Sequence, residues 1–172
     1  MYTRILLGNL SVEKILLNKN KKLSGSQIDN LARQYLWRVG EDYGHGTGHG
    51  VGHCLNVHEG PHGISPRSTI PLQKNMVVTN EPGYYLKDKF GIRIENILLI
   101  QQSKNLIDYL YFENVTQVYY EINLIDKTLL SVEMIDHINS YHQSIYNLHE
   151  KYLKNLSDDL ALDHIKRKTQ FI

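Results

Sequence analysis

Residues 43–61 read YGHGTGHGVGHCLNVHEGP. Histidine occurs nine times in 172 residues, and five of the nine fall between His45 and His62. Neutral imidazole is the commonest side-chain metal ligand, and it titrates nearest neutral pH. If residues 44–53 run extended, the two-residue period of a strand puts His45, Thr47, His49, Val51 and His53 on one face. The glycines at 44, 46, 48, 50 and 52 then form the other face, which weakens a strand and marks close approach of a second backbone or a ligand. A flexible glycine–histidine loop is the competing reading. A phosphate cradle is disfavoured, because the glycine spacing fits neither G-x-G-x-x-G nor G-x-x-x-x-G-K-[ST]. Cys54 is the single cysteine, so a zinc finger built on thiolates is disfavoured too.

The next informative stretch is residues 76–100, MVVTNEPGYYLKDKFGIRIENILLI. Two β-rich runs flank a polar turn, the pattern of an antiparallel hairpin. With the turn centred on Asp88, Glu81 stands opposite Glu95. Directly opposed residues sit about 4.5–5.5 Å apart at Cβ, and like charges there are destabilising. A cation between the carboxylates compensates. Arg93, two residues before Glu95 and on its face, could pair with one of them instead, and a one-residue slip of register would separate the acids. His49, Glu81 and Glu95 together make a nitrogen-plus-carboxylate set, suited to Mn²⁺ or similar divalent ions more than to thiolate-loving metals.

HGTGHGVGHCLNVHEGP, then TNEPGYY, then GIRIEN, in that order, resemble the metal-dependent pita-bread aminopeptidases, and most of all the Xaa-Pro aminopeptidases (aminopeptidase P). The resemblance covers essentially the whole chain. The nine-residue interval from His49 to His58 and the tail through HIKRKTQFI are similar to the larger type of that family. The resemblance implies that His49, Glu81 and Glu95 are metal ligands of a two-ion centre, most often two Mn²⁺, with Zn or Co as alternatives. It implies that Glu81 relays a proton, that His45 and His58 line the substrate pocket, that His58 stabilises the oxyanion, and that Arg93 orders the network behind Glu95. Tyr84 or Tyr85 is a candidate for the pocket's apolar wall. The substrate implied is a peptide with proline in second position, cleaved by metal-assisted hydrolysis.

The family's centre also needs two aspartates on a D-x-G…T-D-x-T-R hairpin. The aspartates before His45 are Asp29 and Asp42, in and after an apparent helix, and neither belongs to that motif. These residues therefore correspond to the C-terminal portion of a longer enzyme, expected to be inactive alone and to need a separate chain for the missing half. A non-catalytic remnant or binding module that keeps the fold is the rival reading, and a prolidase or methionine aminopeptidase relative is a third.

The rest of the chain fits an α+β fold: the C-terminal half of a pita-bread domain over residues 1–117, a curved, mostly antiparallel sheet with helices on one face, then a helical extension over 118–172. Residues 2–17 read as a helix interrupted in propensity by Gly8. Ser26 with Asp29 reads as a capping box opening a second helix, whose stripe Ile28, Leu31, Ala32, Tyr35, Leu36 and Val39 ends at Gly40. Ser131 opens a long helix with Val132, Ile135, Ile138, Tyr141, Ile145, Leu148 and Tyr152 along one side, and a shorter one follows Ser157. His142, His149 and His164 read as packing or surface residues. A formal net charge of +1 gives no pull toward nucleic acid or membrane, and Lys19, Lys21 and Lys22 read as a solvated loop. One cysteine and no signal-peptide pattern point to the cytoplasm. By the resemblance, the extension is a candidate homodimer contact.

Overall fold

The computed structural model describes every residue of the chain except Leu55. The chain divides into two compact units, residues 1–116 and 117–172.

The first unit begins with α1 (Tyr2–Glu13) and α2 (Gly25–Trp37), joined through a short strand, β1 (Leu17–Asn18). Helix α1 stops at Glu13, earlier than the sequence pattern suggests, because Leu17 leaves the helix to pair with Leu110. Gly8 does not break α1. The Ala32 carbonyl of α2 presses against it, where any Cβ would collide, so this glycine exchanges helix propensity for close packing. The cap of α2 is Ser24, two residues before the serine that reads as its start. Its partner is Gln27, whose side chain accepts from the Ser24 N–H at 2.9 Å in a reciprocal capping box. Ile28, Ala32 and Leu36 are fully buried, whereas Val39 lies beyond the helix and is exposed.

Strands β2 (Gly48–His49), β3 (Gly63–Ile64), β4 (Val77–Asn80), β5 (Gly83–Leu86), β6 (Phe90–Arg93), β7 (Asn96–Gln102) and β8 (Tyr109–Asn114) follow. Three of them join β1 in an antiparallel sheet in the order β1-β8-β7-β4, and a bridge from Gly50 to Val78 joins the β2/β3 pair to β4. Alternate residues of β7 and β8 point inward, among them Leu98, Ile100, Leu110 and Phe112, and with Val12, Leu17, Ile28, Ala32, Ile64 and Val78 they form one core under the two helices. Ile97 faces the other way and is exposed. The helices thus cover one face of the sheet.

The long hairpin has two ladders, β4 with β7 and β5 with β6, and every pair in both is symmetric about Asp88. Asp88 occupies the left-handed turn position with φ 58°, where a short polar side chain is tolerated. Asn80 pairs with Asn96 at the inner end of one ladder, and Gly83 with Arg93 at the inner end of the other. Glu81 and Glu95 fall opposite each other in the gap between. Behind them Asn9 of α1, fully buried, donates to the carbonyls of Asn80 (2.8 Å) and Ile94 (3.2 Å) and accepts from Asn80 and Asn96. Both arms of the hairpin are therefore tied to α1 next to the two acids.

The second unit contains α3 (Val132–Leu156), opened by the Ser131 hydroxyl accepting from the Met134 N–H, and α4 (Asp159–Lys168). The buried face of α3 carries Ile138, His142 and Ile145, while Val132 and Tyr152 are exposed. His142 has no exposed surface. Its Nε2 accepts from the Tyr120 N–H at 3.1 Å, and its Nδ1 faces the Gln170 carbonyl at 3.5 Å. Burial lowers its pKa, partly offset by the contact with Gln170, and the imidazole is neutral with its proton on Nδ1. Among the described residues no helix is long and apolar enough to cross a membrane.

Candidate metal centre

The glycine–histidine stretch is not a continuous strand. Among its described residues only Gly48 and His49 are in a ladder, with Gly50 in the bridge to β4. The glycines serve close approach: a Cβ on Gly48 would strike the Thr79 carbonyl of β4. That contact lets the His49 N–H reach the Thr79 hydroxyl at 3.0 Å and the Thr47 carbonyl accept from the Glu81 N–H at 2.7 Å. The histidine segment is in this way fastened to the strand that carries the first acid.

Donor atoms of His49, Glu81 and Glu95 all lie within 4.8 Å of one another. His49 Nδ1 is 2.9 Å from the Gly50 carbonyl, which can only accept, so the proton sits on Nδ1 and the Nε2 lone pair faces the acids. This is the tautomer a metal-binding imidazole adopts when a backbone carbonyl holds its other nitrogen. Nε2 stands 3.4 Å from Glu81 Oε1, and with Nδ1 committed to the Gly50 carbonyl a proton or a metal ion on Nε2 is what would join the two. Glu81 is buried, and its Oε1 also accepts from the Thr79 hydroxyl at 2.9 Å. Glu95 is exposed. Arg93 Nη1 approaches Glu81 Oε2 at 3.4 Å, and the charges of both Glu81 and Glu95 act on its guanidinium. One half-exposed guanidinium beside Glu81 does not account for two opposed carboxylates and an imidazole lone pair. The set fits a divalent cation of intermediate hardness, with one nitrogen and several carboxylate oxygens.

The pocket histidines divide. His58 is exposed, and its ring lies 4.1 Å from that of His49, at the mouth of the donor set. His45 turns toward the β5/β6 hairpin. Its Nδ1 donates to the Gly46 carbonyl (2.7 Å), which leaves Nε2 to accept from the Tyr85 hydroxyl (2.8 Å). That hydroxyl in turn accepts from Arg93 Nε at 2.8 Å, a bond that raises the Arg93 pKa. Tyr85 is thus a polar bridge from Arg93 to His45, not an apolar wall. Tyr84 is the buried tyrosine and packs near Phe90. His53 is exposed and makes no part of the donor set.

A second network stands behind His45. Asp29 and Arg33, four residues apart on α2, form a two-point ion pair at 2.7 and 3.3 Å, both almost entirely buried. The guanidinium carbon lies 4.0 Å over the ring of Tyr43. Although burial opposes its charge, the hydrogen bond to Asp29 and further bonds raise the Arg33 pKa. The Asp29–Arg33 spacing is itself a sequence signal for a helix ion pair. The capping-box reading hid it by giving Asp29 the place that Gln27 fills. A cleft of about 630 Å³ opens beside this network, lined by Trp37, Asp42, His45, His49, His62 and Arg67 among others.

Residues 8–102 match the model of metallopeptidase family M24, and residues 108–172 match the C-terminal region of peptidase M24. The chain is 45% identical over 176 residues to a probable Xaa-Pro aminopeptidase P of Pyrenophora tritici-repentis, covering 98% of this chain and 29% of that protein. A relative of the same description from Laccaria bicolor is 43% identical, with 97% and 27% covered. Among solved structures, the X-prolyl aminopeptidase of Caenorhabditis elegans, described as a cytosolic enzyme with a di-nuclear active site, superposes with TM-score 0.92 at 36% identity, over 99% of this chain and 28% of that one. The Xaa-Pro dipeptidase of Bacillus anthracis gives TM-score 0.56 at 34% identity, over 70% and 31%. The chain therefore spans under a third of the length of these relatives. The shared pita-bread architecture, the two matched regions and the identity across nearly all of its residues establish that this chain belongs to metallopeptidase family M24.

Proposed function

We propose that these residues form the C-terminal portion of an Xaa-Pro aminopeptidase and supply the imidazole and two carboxylates of its divalent-metal centre. The observation that carries the reading is the convergence of His49 Nε2, Glu81 and Glu95 within 4.8 Å, with the His49 tautomer directing its lone pair at Glu81. His49, Glu81 and Glu95 would hold the metal, and Mn²⁺ suits the donor set best. The chemistry a divalent pair supplies when bound is Lewis-acid polarisation of the scissile carbonyl and acidification of water.

The chain's own groups then have separable tasks. His58, at the open mouth beside His49, meets negative charge developing on the carbonyl oxygen. Glu81 carries the proton to the leaving prolyl nitrogen, held in place by Thr79 on one oxygen and Arg93 on the other. His45 presents its ring to the pocket in an orientation fixed by Tyr85 and Gly46. Three donors hold one ion more readily than two, so the 172 residues alone bind metal without sustained turnover, and the remaining ligands come from a segment outside them. On the same reading, residues 1–117 are the catalytic part and 118–172 the extension, which serves self-association. The protein works in the cytosol on peptides with proline second.

The test is twofold. Mn²⁺ is titrated into the purified chain and into Glu95→Gln, and an Xaa-Pro peptide is assayed with each. Saturable binding by the chain, weakened at least tenfold in Glu95→Gln and unaccompanied by hydrolysis, is expected. Equal binding by both proteins overturns the ligand assignment, and turnover by the chain alone overturns the incompleteness.

A further inference from the structure

All five N–H groups of Arg33 are engaged. Nε and one Nη2 hydrogen go to Asp29, one Nη1 hydrogen to Asp42 at 2.8 Å, and the two that remain to the backbone carbonyls of Tyr43 (2.8 Å) and His45 (2.7 Å). A guanidinium offers five donors in a fixed plane, and here each has its own acceptor. Asp29, with no exposed surface, also accepts from the Thr47 hydroxyl at 2.6 Å, and that hydroxyl takes the Tyr43 phenol proton at 2.6 Å. The Thr47 carbonyl receives the Glu81 N–H. A continuous chain of bonds therefore runs from α2 through the backbone of residues 43–47 to the main chain of Glu81. Thr47 stands two residues from His45 on one side and two from His49 on the other.

We propose that Arg33, acting with Asp29 through Thr47, is a positioning residue for the metal centre: it sets the height of the His45–His49 segment over the strand that carries Glu81. The proposal rests on the metal reading above for its consequence, and on the hydrogen-bond geometry alone for its mechanism. A purely structural ion pair would need Asp29 and Arg33 and nothing more. Two guanidinium hydrogens spent on carbonyls of the segment, and a threonine hydroxyl spent on Asp29, are what a clamp on that segment requires. Lysine has the charge and not the fork, so it reproduces the ion pair without the carbonyl contacts.

The experiment compares the native chain with Arg33→Lys and Thr47→Val by amide-resolved hydrogen exchange without metal, and by Mn²⁺ titration. Both variants keep a cation or a β-branched side chain in place, and circular dichroism checks that each is folded before exchange is read. The expected result is exchange at least tenfold faster at the Glu81 amide and at the amides of residues 43–49. The Ile100 amide, bonded to Met76 at 2.9 Å in the core sheet, should be unchanged, and Mn²⁺ affinity should fall at least tenfold. Uniformly faster exchange, with Ile100 shifted as much as Glu81, identifies a merely structural pair and overturns the clamp. So does unchanged exchange at Glu81 in both variants. Failure of the native chain to bind Mn²⁺ overturns the metal reading, and the exchange pattern still decides the clamp.

Discussion

Thr79 carries no charge, yet its hydroxyl decides where two of the donors stand. It accepts from the His49 N–H and donates to Glu81 Oε1, so one oxygen atom fixes the spacing between the imidazole's backbone and the buried carboxylate. Valine at this position keeps the shape and strand propensity and removes both bonds. Thr79→Val should therefore remain folded by circular dichroism while binding Mn²⁺ roughly 10–100-fold more weakly, the loss that accompanies removal of a ligand's supporting partner. Unaltered affinity in a folded Thr79→Val would show that the acid is held by Arg93 and the backbone alone. No sequence pattern marks Thr79, because a strand threonine reads first as a β-former. Glu81 and Glu95 were legible because their charge makes opposition costly, and His49 because its neighbours are glycines. The Asp29–Arg33 ion pair was signalled by its spacing and missed, and the rest of Arg33's role was not legible, since two of its five acceptor atoms are backbone carbonyls, which every residue possesses.

The two elements that make the site, the hairpin and the glycine-rich segment, differ in how far their letters determine them. For the hairpin, the polar turn and the β-rich arms place Asp88 at the centre, and the observed pairs from Val77↔Leu99 to Leu86↔Phe90 keep that register on both sides of the gap. The glycine segment misleads, because alternation with period two does not separate a strand from a loop threaded between two backbones. What it does report is close approach, and this has a consequence. Gly48→Ala forces a Cβ into the Thr79 carbonyl, a backbone atom that cannot rotate away, so β2 must move off β4. Overpacking of this kind costs about 1–3 kcal/mol, measurable by urea denaturation. The displaced His49 should lose Mn²⁺ along with it, and stability equal to the native chain's would mean the strands have slack. In α3 the long apolar stripe overreached at its ends, which are exposed, while His142, read as a packing or surface residue, is as fully buried as Ile138 and Ile145. Its pKa is depressed by burial, so the unfolded chain takes up the proton first as pH falls. The contribution is complete above the ordinary histidine value of 6.5 and declines as pH drops below it toward the folded value. Protonation also sets a second donor against the Tyr120 N–H. His142→Phe should abolish this part of the acid-side decline. It should also remove the hydrogen bond from the Tyr120 N–H to the imidazole, at a cost of about 1–3 kcal/mol at neutral pH. Parallel pH–stability curves for the two proteins would refute the assignment.

Taken as one chain, the molecule brings its three donors together only by folding. His49 comes from the segment after α2, Glu81 and Glu95 from opposite arms of a hairpin, and all three meet through the Gly48–Thr79 contact and the tie of Asn9 to both hairpin arms, at Asn80 and Ile94. An unfolded chain has no such convergence, so any ion that uses all three is bound by the native state alone. Mass action then converts binding into stability, by about 2.7 kcal/mol when free ion is a hundredfold above Kd. For a chain of this length that corresponds to a rise in Tm of roughly 5–10 °C. The native chain should show this rise on adding Mn²⁺, increasing logarithmically with concentration. Glu95→Gln should start from an equal or higher Tm, because it relieves the opposed negative charge, and should respond little to the ion. The two effects run in opposite directions in one variant, which separates ligation from general stabilisation by a dication at an acidic surface. If Mn²⁺ raises the Tm of both proteins alike, the convergence of these side chains is electrostatic coincidence, and Arg93 is the only cation the acids need.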